Sequence, residues 1–522
     1  MHPAGCERCP FAEDKVDIRF QAGGHAAWRA GAVMVFVFKD EPLAEVDSQL
    51  VEAAPWLTIA PAGNDFRAAK DEVAVLHGPP AFDIPRVVAV GLGKREDCTL
   101  ERIRLAAAAG IRRCRDLRVE NVGVVAAQLG RMAPTGHDAL RVAEEVVCGA
   151  LLGLYRYDRF RTVKDDERAE DPRWLALLCE GKNVPDDLHG AARKGEAVAL
   201  GMGVARDLVN GPANIVTPAF LASEAEALGR KHGFRVEVLG RDELSSMGMG
   251  AFASVFRGAE EEARLIVIEH APAGTEEQQP LVFVGKGVTF DTGGISLKPA
   301  AKMHEMKGDM AGAAAILGLF AALGERDLPR RVVGVLPCTE NMPDGRATRP
   351  GDVVTTLSGK TVEILNTDAE GRLLLCDALT YAQRRWQPEA LVDLATLTGA
   401  CVVALGTEVA GLFCDDAALA DAIASRGETV GDLFWPLPLW KSYAENLKSD
   451  VADLANVGPR EGGAVNAALF LRQFIDDGVR WAHLDIAGPA FTAKKSALCP
   501  GGGTGFAVRT LFELVSEGIP AA

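Results

Sequence analysis

Apolar residues fall along this chain in short continuous runs separated by helix-length periodic stretches, and that alternation predicts an α/β protein. In the first third, residues 32–38 read as a buried strand and 87–92 as another, followed by Gly93 and Lys94. Residues 105–117 read as a helix and 122–127 as a further strand, together an open α/β sheet. Between about 158 and 187 the pattern turns charged and irregular, with Lys164, Asp165, Asp166, Glu167 and Arg168 in succession, and predicts a linker. A helix over 190–209 follows and stops at Asn210-Gly211-Pro212. Farther on, 264–269 and 281–284 are continuous apolar runs, the mark of strands buried on both faces. Residues 310–323 form an alanine- and leucine-rich helix pattern, 331–337 and 361–365 read as strands, 370–384 as a helix and 390–394 as a strand. Repeated strand–loop–helix units put polar residues at the carboxyl ends of strands, where α/β sheets collect ligands.

A length of 522 residues implies two or three domains, and 48% hydrophobic with 25% charged residues is a globular composition. No apolar run is read as approaching the roughly 18 residues that span a bilayer, so no membrane partner is expected. The first residues, Met1 to Cys6, lack the basic-then-apolar order of a signal peptide, and a cytoplasmic protein is expected. A formal net charge of −16 argues against nucleic acid as the main partner, because polyphosphate is repelled over most of the surface. The 11 cysteines are odd in number and scattered, as expected of free thiols in a reducing compartment. Cys6 and Cys9 form a C-x-x-C without an apparent second ligand pair, which favours an incidental segment over a zinc knuckle. Gly91-Leu92-Gly93-Lys94 lacks the full glycine fingerprint of a phosphate loop.

Three loops carry acids beside glycines, which let the backbone approach closely. They are residues 284–298, with Asp291; 306–310, with Asp309; and 366–373, with Asp368 and Glu370. Four carboxylates converging in one pocket repel strongly unless cations are bound. Two divalent metals about 3.5–4 Å apart resolve the repulsion and suit hydrolysis. Asp368 and Glu370, at i and i+2, point the same way on an extended stretch and can feed both metals. Hard oxygen ligands suit magnesium or manganese, and zinc also accepts carboxylates. Spacing alone leaves solvated turns open as the other reading, with Asp309 as a helix N-cap.

The run Asn366-Thr367-Asp368-Ala369-Glu370-Gly371-Arg372-Leu373 resembles the signature of the leucine aminopeptidase family, two-metal peptidases of the cytosol. Residues 284–298 resemble the same family's V-G-K-G-x-T-F-D-x-G-G-x-x-x-K segment. Companions are Glu340-Asn341-Met342-Pro343, Arg349-Pro350-Gly351-Asp352, residues 393–399 and residues 481–488, in order and without large gaps from about residue 198 to the C-terminus. The apolar pattern predicts an N-terminal open α/β domain over 1–157, its first 15 or so residues mobile. A linker and connecting helix over 158–197 follow, then a larger α/β catalytic domain with a mixed central sheet over 198–522.

Carried over by position, the resemblance makes Lys286, Asp291, Asp309 and Glu370 ligands of a tighter metal. Asp291, Asp368 and Glu370 then hold a more exchangeable one. Lys286 must lose its proton to ligate, which a neighbouring dication and burial favour. Lys298 is implied to stabilise the oxyanion of the reaction and Arg372 to seat a bicarbonate ion as general base. The implied cofactors are two divalent ions per subunit, manganese or zinc, with magnesium or cobalt also compatible. Met306 and, as a weaker match, Ala490 correspond to positions lining the pocket for the first side chain, which points to Leu-, Met- or Phe-like residues; Met306 fits plain core as well. The implied activity is release of N-terminal residues from peptides, by a homohexamer. The competing reading is a binding protein of the same fold acting on DNA through its N-terminal domain. Asn466 and Pro459 depart from the family pattern, where threonine and glycine are expected, and bear on loop rigidity and access. His304 reads as solvated and His483 as a hydrogen-bonded core histidine.

Overall fold

The computed structural model describes residues 16–39, 41, 48–58, 66–79, 83–162 and 169–520. Cys6, Cys9 and the charged run Lys164 to Arg168 lie outside the described residues. The chain divides into two compact units, Met1–Ala199 with Lys494–Pro500, and Leu200–Ala493 with Gly501–Ala522.

The first unit is built on six strands: β1 (Asp17–Gln21), β2 (Ala32–Phe38), β3 (Val73–His77), β4 (Arg86–Gly93), β5 (Asn121–Val125) and β6 (Trp174–Leu178). Their order is β1-β6-β5-β2-β4-β3, and every pairing is parallel except β3 with β4. Every residue of β2 is buried, because apolar clusters cover both faces of the sheet. That is why its sequence is one continuous apolar run. On one face lie the helices Leu100–Asp116 and Ala139–Leu154; the Thr99 hydroxyl caps the former by accepting from the Arg102 N–H at 3.1 Å. The glycines at the end of β4 serve packing. Gly91 N–H donates to Glu72 O and Gly93 N–H to Ala68 O, so neither amide is available to a phosphate.

The stretch 158–197, expected as a linker and connecting helix, supplies more than a connection. It contains β6, an inner strand of the sheet, and the first half of the helix Asp186–Asn210. Five apolar residues between charged flanks are too short a run to stand out.

The second unit carries a nine-stranded mixed sheet, as expected. Its strands are β7 (Arg235–Leu239), β8 (Arg264–His270), β9 (Leu281–Gly285), β10 (Gly287–Asp291), β11 (Val332–Asn341), β14 (Ala390–Ala395), β15 (Val409–Cys414), β16 (Leu433–Pro436) and β18 (Trp481–Asp485). A smaller sheet joins β12 (Asp352–Thr355), β13 (Thr361–Ile364) and β17 (Leu454–Ala455). The large sheet runs β16-β15-β18-β14-β9-β11-β8-β7, with its central four strands β18, β14, β9 and β11 parallel. β10 continues the line of β9 along β11 after a one-residue break at Lys286.

The stretch Met303–Gly324 corrects one expectation: by length and composition alone it is apolar enough to cross a membrane. Its most apolar window is 83% buried within the protein, and from Ala311 to Gly324 it is a core helix. Gly312 lets that helix reach β14; a Cβ there would meet Leu394 O at 2.2 Å.

Candidate metal centre

The carboxyl ends of the central parallel strands deliver the site. Lys286 lies in the break between β9 and β10, its N–H bonded to Leu394 O and its carbonyl accepting from Ala313 N–H. Asp291 closes β10. Asp309 ends the turn Met303–Gly308 just before the helix Ala311–Gly324. Asp368 lies in the turn after β13, Glu370 immediately precedes the helix Gly371–Trp386, and Arg372 is that helix's second residue.

These side chains converge. Asp291, Asp309 and Glu370 are buried, with carboxylate oxygens within 4.8 Å of one another. Lys286 Nζ lies 2.8 Å from Asp309 Oδ2 and 2.8 Å from Glu370 Oε1, and donates to Thr396 O at 3.2 Å. Lys298 Nζ lies 2.8 Å from Asp291 Oδ2 and also pairs with Asp368 Oδ1. Asp309 is no N-cap: its Oδ1 accepts from Lys286 Nζ and from the Thr396 hydroxyl at 2.7 Å. Arg372 Nη1 donates to Asn456 O at 2.8 Å, while its buried Nε has no hydrogen-bond acceptor among the described residues.

Burial dominates the electrostatics. Burial, then repulsion from Asp291 and Asp309, raises the Glu370 carboxyl well above its ordinary value against the pull of Lys286 and Lys298. Burial also raises Asp309, where Lys286 opposes and Asp291 reinforces the shift, and it raises Asp368. Burial disfavours the Lys286 and Lys298 ammonium groups, yet the surrounding carboxylates outweigh it and hold both above the usual lysine value. The Arg372 guanidinium is lowered to about 10 by burial, with Glu370 and Asp485 opposing. Carboxylates crowded enough to hold protons are the donor set that divalent cations relieve. The three buried acids fit a metal ion.

Several supporting residues carried no assigned role in the sequence. Asn341, inside the Glu340-Asn341-Met342-Pro343 motif, donates to Asp291 Oδ1 at 2.8 Å and to Thr367 O at 3.1 Å. Thr367 and Ser296 bond each other's backbone N–H groups, tying the Asp368 turn to the Lys298 loop. Gly293 and Gly294 have φ of +88° and +66°, and a Cβ on Gly294 would meet Asn341 Oδ1 at 2.8 Å. Thr396 belongs to the 393–399 motif and also supports the site. Met306 is half-buried, three residues before Asp309 on the same turn. His304 is exposed. His483 is fully buried, its Nδ1 2.6 Å from Asp393 Oδ1 and its ring stacked on Phe413.

Comparison with known proteins agrees with this geometry. A model described as the cytosol aminopeptidase family, catalytic domain, matches residues 203–512, and that family's N-terminal domain matches 34–164. A "Probable cytosol aminopeptidase" of Oleidesulfovibrio alaskensis is 56% identical over 514 residues, 97% of this chain and 99% of the relative. One of Desulfovibrio desulfuricans is 53% identical over 504 residues, 97% of this chain and 100% of the relative. Among solved structures, the bottromycin maturation enzyme BotP in complex with Mn superposes with a TM-score of 0.81 at 37% identity, covering 94% of this chain and 99% of that one. A mutant of tomato leucine aminopeptidase superposes with a TM-score of 0.81 at 33% identity, covering 97% and 98%.

Proposed function

The chain belongs to the cytosol aminopeptidase family and is an aminopeptidase, a hydrolase acting on peptides, and from that premise we propose that it removes apolar N-terminal residues by two-metal activation of water. The observation that carries the reading is the buried meeting of Asp291, Asp309 and Glu370 with two lysines shared among them and Asp368. Each lysine contacts one pair of acids. Lys286 joins Asp309 and Glu370, and Lys298 joins Asp291 and Asp368.

In this reading Asp291, Asp309, Glu370 and Lys286, the last after a dication has displaced its ammonium proton, would hold one divalent ion, and Asp291, Asp368 and Glu370 the other. Manganese or zinc is the preferred pair, magnesium or cobalt also compatible with these ligands. When bound, such ions supply Lewis acidity and a water acidic enough to give a nucleophile at neutral pH. The chain's own groups do the rest. Asn341 and Gly293 fix the Asp291 carboxylate through two donors on Oδ1. Lys298 is the more exposed of the two lysines, 22% against 4%. Once its acids are neutralised it is free to turn its ammonium to the oxygen that gains charge, a term worth roughly 3–4 kcal/mol at comparable donors. Arg372 offers Nε to a small anion such as bicarbonate, which would act there as a base. Met306, on the Asp309 turn, lines the pocket for an apolar first side chain.

The working protein is proposed to be a cytoplasmic homohexamer. The reading as a DNA-regulatory protein is disfavoured, since the residues of a hydrolytic site are complete and the net charge is −16. The deciding experiment is hydrolysis of leucine p-nitroanilide by metal-reconstituted protein, wild type beside Asp368→Ala, with manganese and zinc tested separately. Metal-dependent turnover that falls at least tenfold in the variant is expected. A folded, metal-loaded wild type that cleaves neither this substrate nor any free-amino dipeptide refutes the proposal.

A further inference from the structure

The turn between β13 and the helix Gly371–Trp386 presents Asp368 and Glu370, yet it lies beyond the last rung of β13 and needs partners for its own peptide groups. One side chain supplies several of them. Asn456 is fully buried, and its Oδ1 accepts from Leu365 N–H at 2.8 Å and Asn366 N–H at 3.3 Å. Its Nδ2 donates to Asn366 O at 2.7 Å and to Ala369 O at 3.5 Å. The same residue's carbonyl takes the Arg372 guanidinium at 2.8 Å, and its N–H donates to Glu363 O at 2.9 Å.

We infer that Asn456 is a positioning residue that sets the Asp368–Glu370 turn and Arg372 in one frame; this rests on the two-cation reading above. A carboxamide is required because the turn offers both N–H and C=O groups to one side chain, and only an amide answers both. An aspartate keeps the acceptor but turns lone pairs toward Asn366 O and Ala369 O. A threonine or serine is too short to span the turn.

The anchor is itself anchored. β17 runs parallel to β13 through Val362↔Leu454 and Glu363↔Ala455, so Asn456 stands one residue past a fixed register. The loop that follows is stapled by Asn466, whose Nδ2 donates to Pro459 O and Glu461 O, each at 3.1 Å, and whose Oδ1 accepts from Asn446 at 3.1 Å. A threonine at 466 carries one hydroxyl donor and could not hold both carbonyls. The two departures from the family pattern, Asn466 and Pro459, therefore meet in one hydrogen bond that stiffens the support behind Asn456.

The test is calorimetric titration of manganese into the chelator-treated full-length protein, wild type beside Asn456→Ala and Asn456→Asp. Melting temperature is measured for each, and kcat and KM for leucine p-nitroanilide. Supporcting partners of metal ligands cost about 10–100-fold when removed. Manganese affinity and kcat are expected to fall by about that factor in both variants, with KM changed less than kcat. The aspartate variant keeps the size and shape of the side chain, so it carries the test if the alanine variant does not fold. Manganese affinity and kcat within about twofold of wild type in a folded variant overturn the assignment. A wild type that binds no manganese shows a different failure, that of the two-cation reading itself, and the inference falls with it.

Discussion

Gly371 is the residue at which one added methyl group would reach the centre. A Cβ there would lie 2.7 Å from Lys286 Cε and 2.8 Å from its Nζ. The end of a lysine normally yields at little cost, but this one is held by Asp309, Glu370 and Thr396 O and cannot retreat without losing them. Alanine is also the better helix residue by about 1 kcal/mol, so the helix Gly371–Trp386 itself does not object. Gly371→Ala is therefore expected to keep its melting temperature within a few degrees while losing about 10–100-fold in manganese affinity and kcat. Titration calorimetry and steady-state kinetics on the same preparation check this. Full activity would show that Lys286 tolerates displacement and is not a ligand.

The same helix is tied down a turn and a half farther on. Asp377 is fully buried, and its two oxygens accept from Phe252 N–H at 2.9 Å and Leu357 N–H at 2.7 Å, joining the helix to Gly250–Phe256 and to the loop after β12. Burial nevertheless raises its carboxyl to about 7, the backbone donors pulling the other way. The sign follows from linkage: the folded chain keeps this proton to about pH 7 while the unfolded chain releases it near 4. The contribution to stability is thus complete below about pH 4 and lost as pH rises to 7. Asp377→Asn, neutral throughout, is expected to be less stable by about 1–3 kcal/mol, because an amide N–H₂ faces a backbone donor. Its stability should also change less between pH 5 and pH 8 than that of wild type, both measured with chelator present. An unchanged pH slope would remove Asp377 from the account.

Elements were legible where burial wrote a simple pattern. β2, β9 and β14 are buried along their whole length; β2 and β9 read as continuous apolar runs, and β14 as one interrupted only by Asp393. β6 was hidden because its five residues follow a charged stretch. β10 was hidden because its glycine-flanked sequence reads as loop, and the break at Lys286 separates it from β9. The ligand candidates were legible because two short motifs contain most of them. Asn456 and Thr396 were not, since a supporting amide or hydroxyl has no pattern of its own and acquires meaning only when distant strands place it against the turn.

At the scale of the molecule, the candidate centre lies entirely within the second unit, and Asp309, Asp368 and Glu370 are raised by burial and by repulsion from neighbouring carboxylates. Divalent ions that bind the folded chain must then stabilise it by linkage, about 2.7 kcal/mol per site at a free concentration a hundred times Kd. For a unit of this size that is about 4 °C per site in melting temperature. Asp368→Ala removes a ligand implied for only one of the two ions and leaves Asp291, Asp309 and Glu370 in place. Scanning calorimetry of chelator-treated protein against manganese-loaded protein should therefore show a large upward shift in wild type and about half of it in Asp368→Ala. Such a result would separate two sites from one without relying on turnover. A full shift in the variant would mean that Asp368 holds no ion and that one metal suffices. No shift in wild type would mean that the lysines already satisfy the carboxylates and the cluster binds no metal at all.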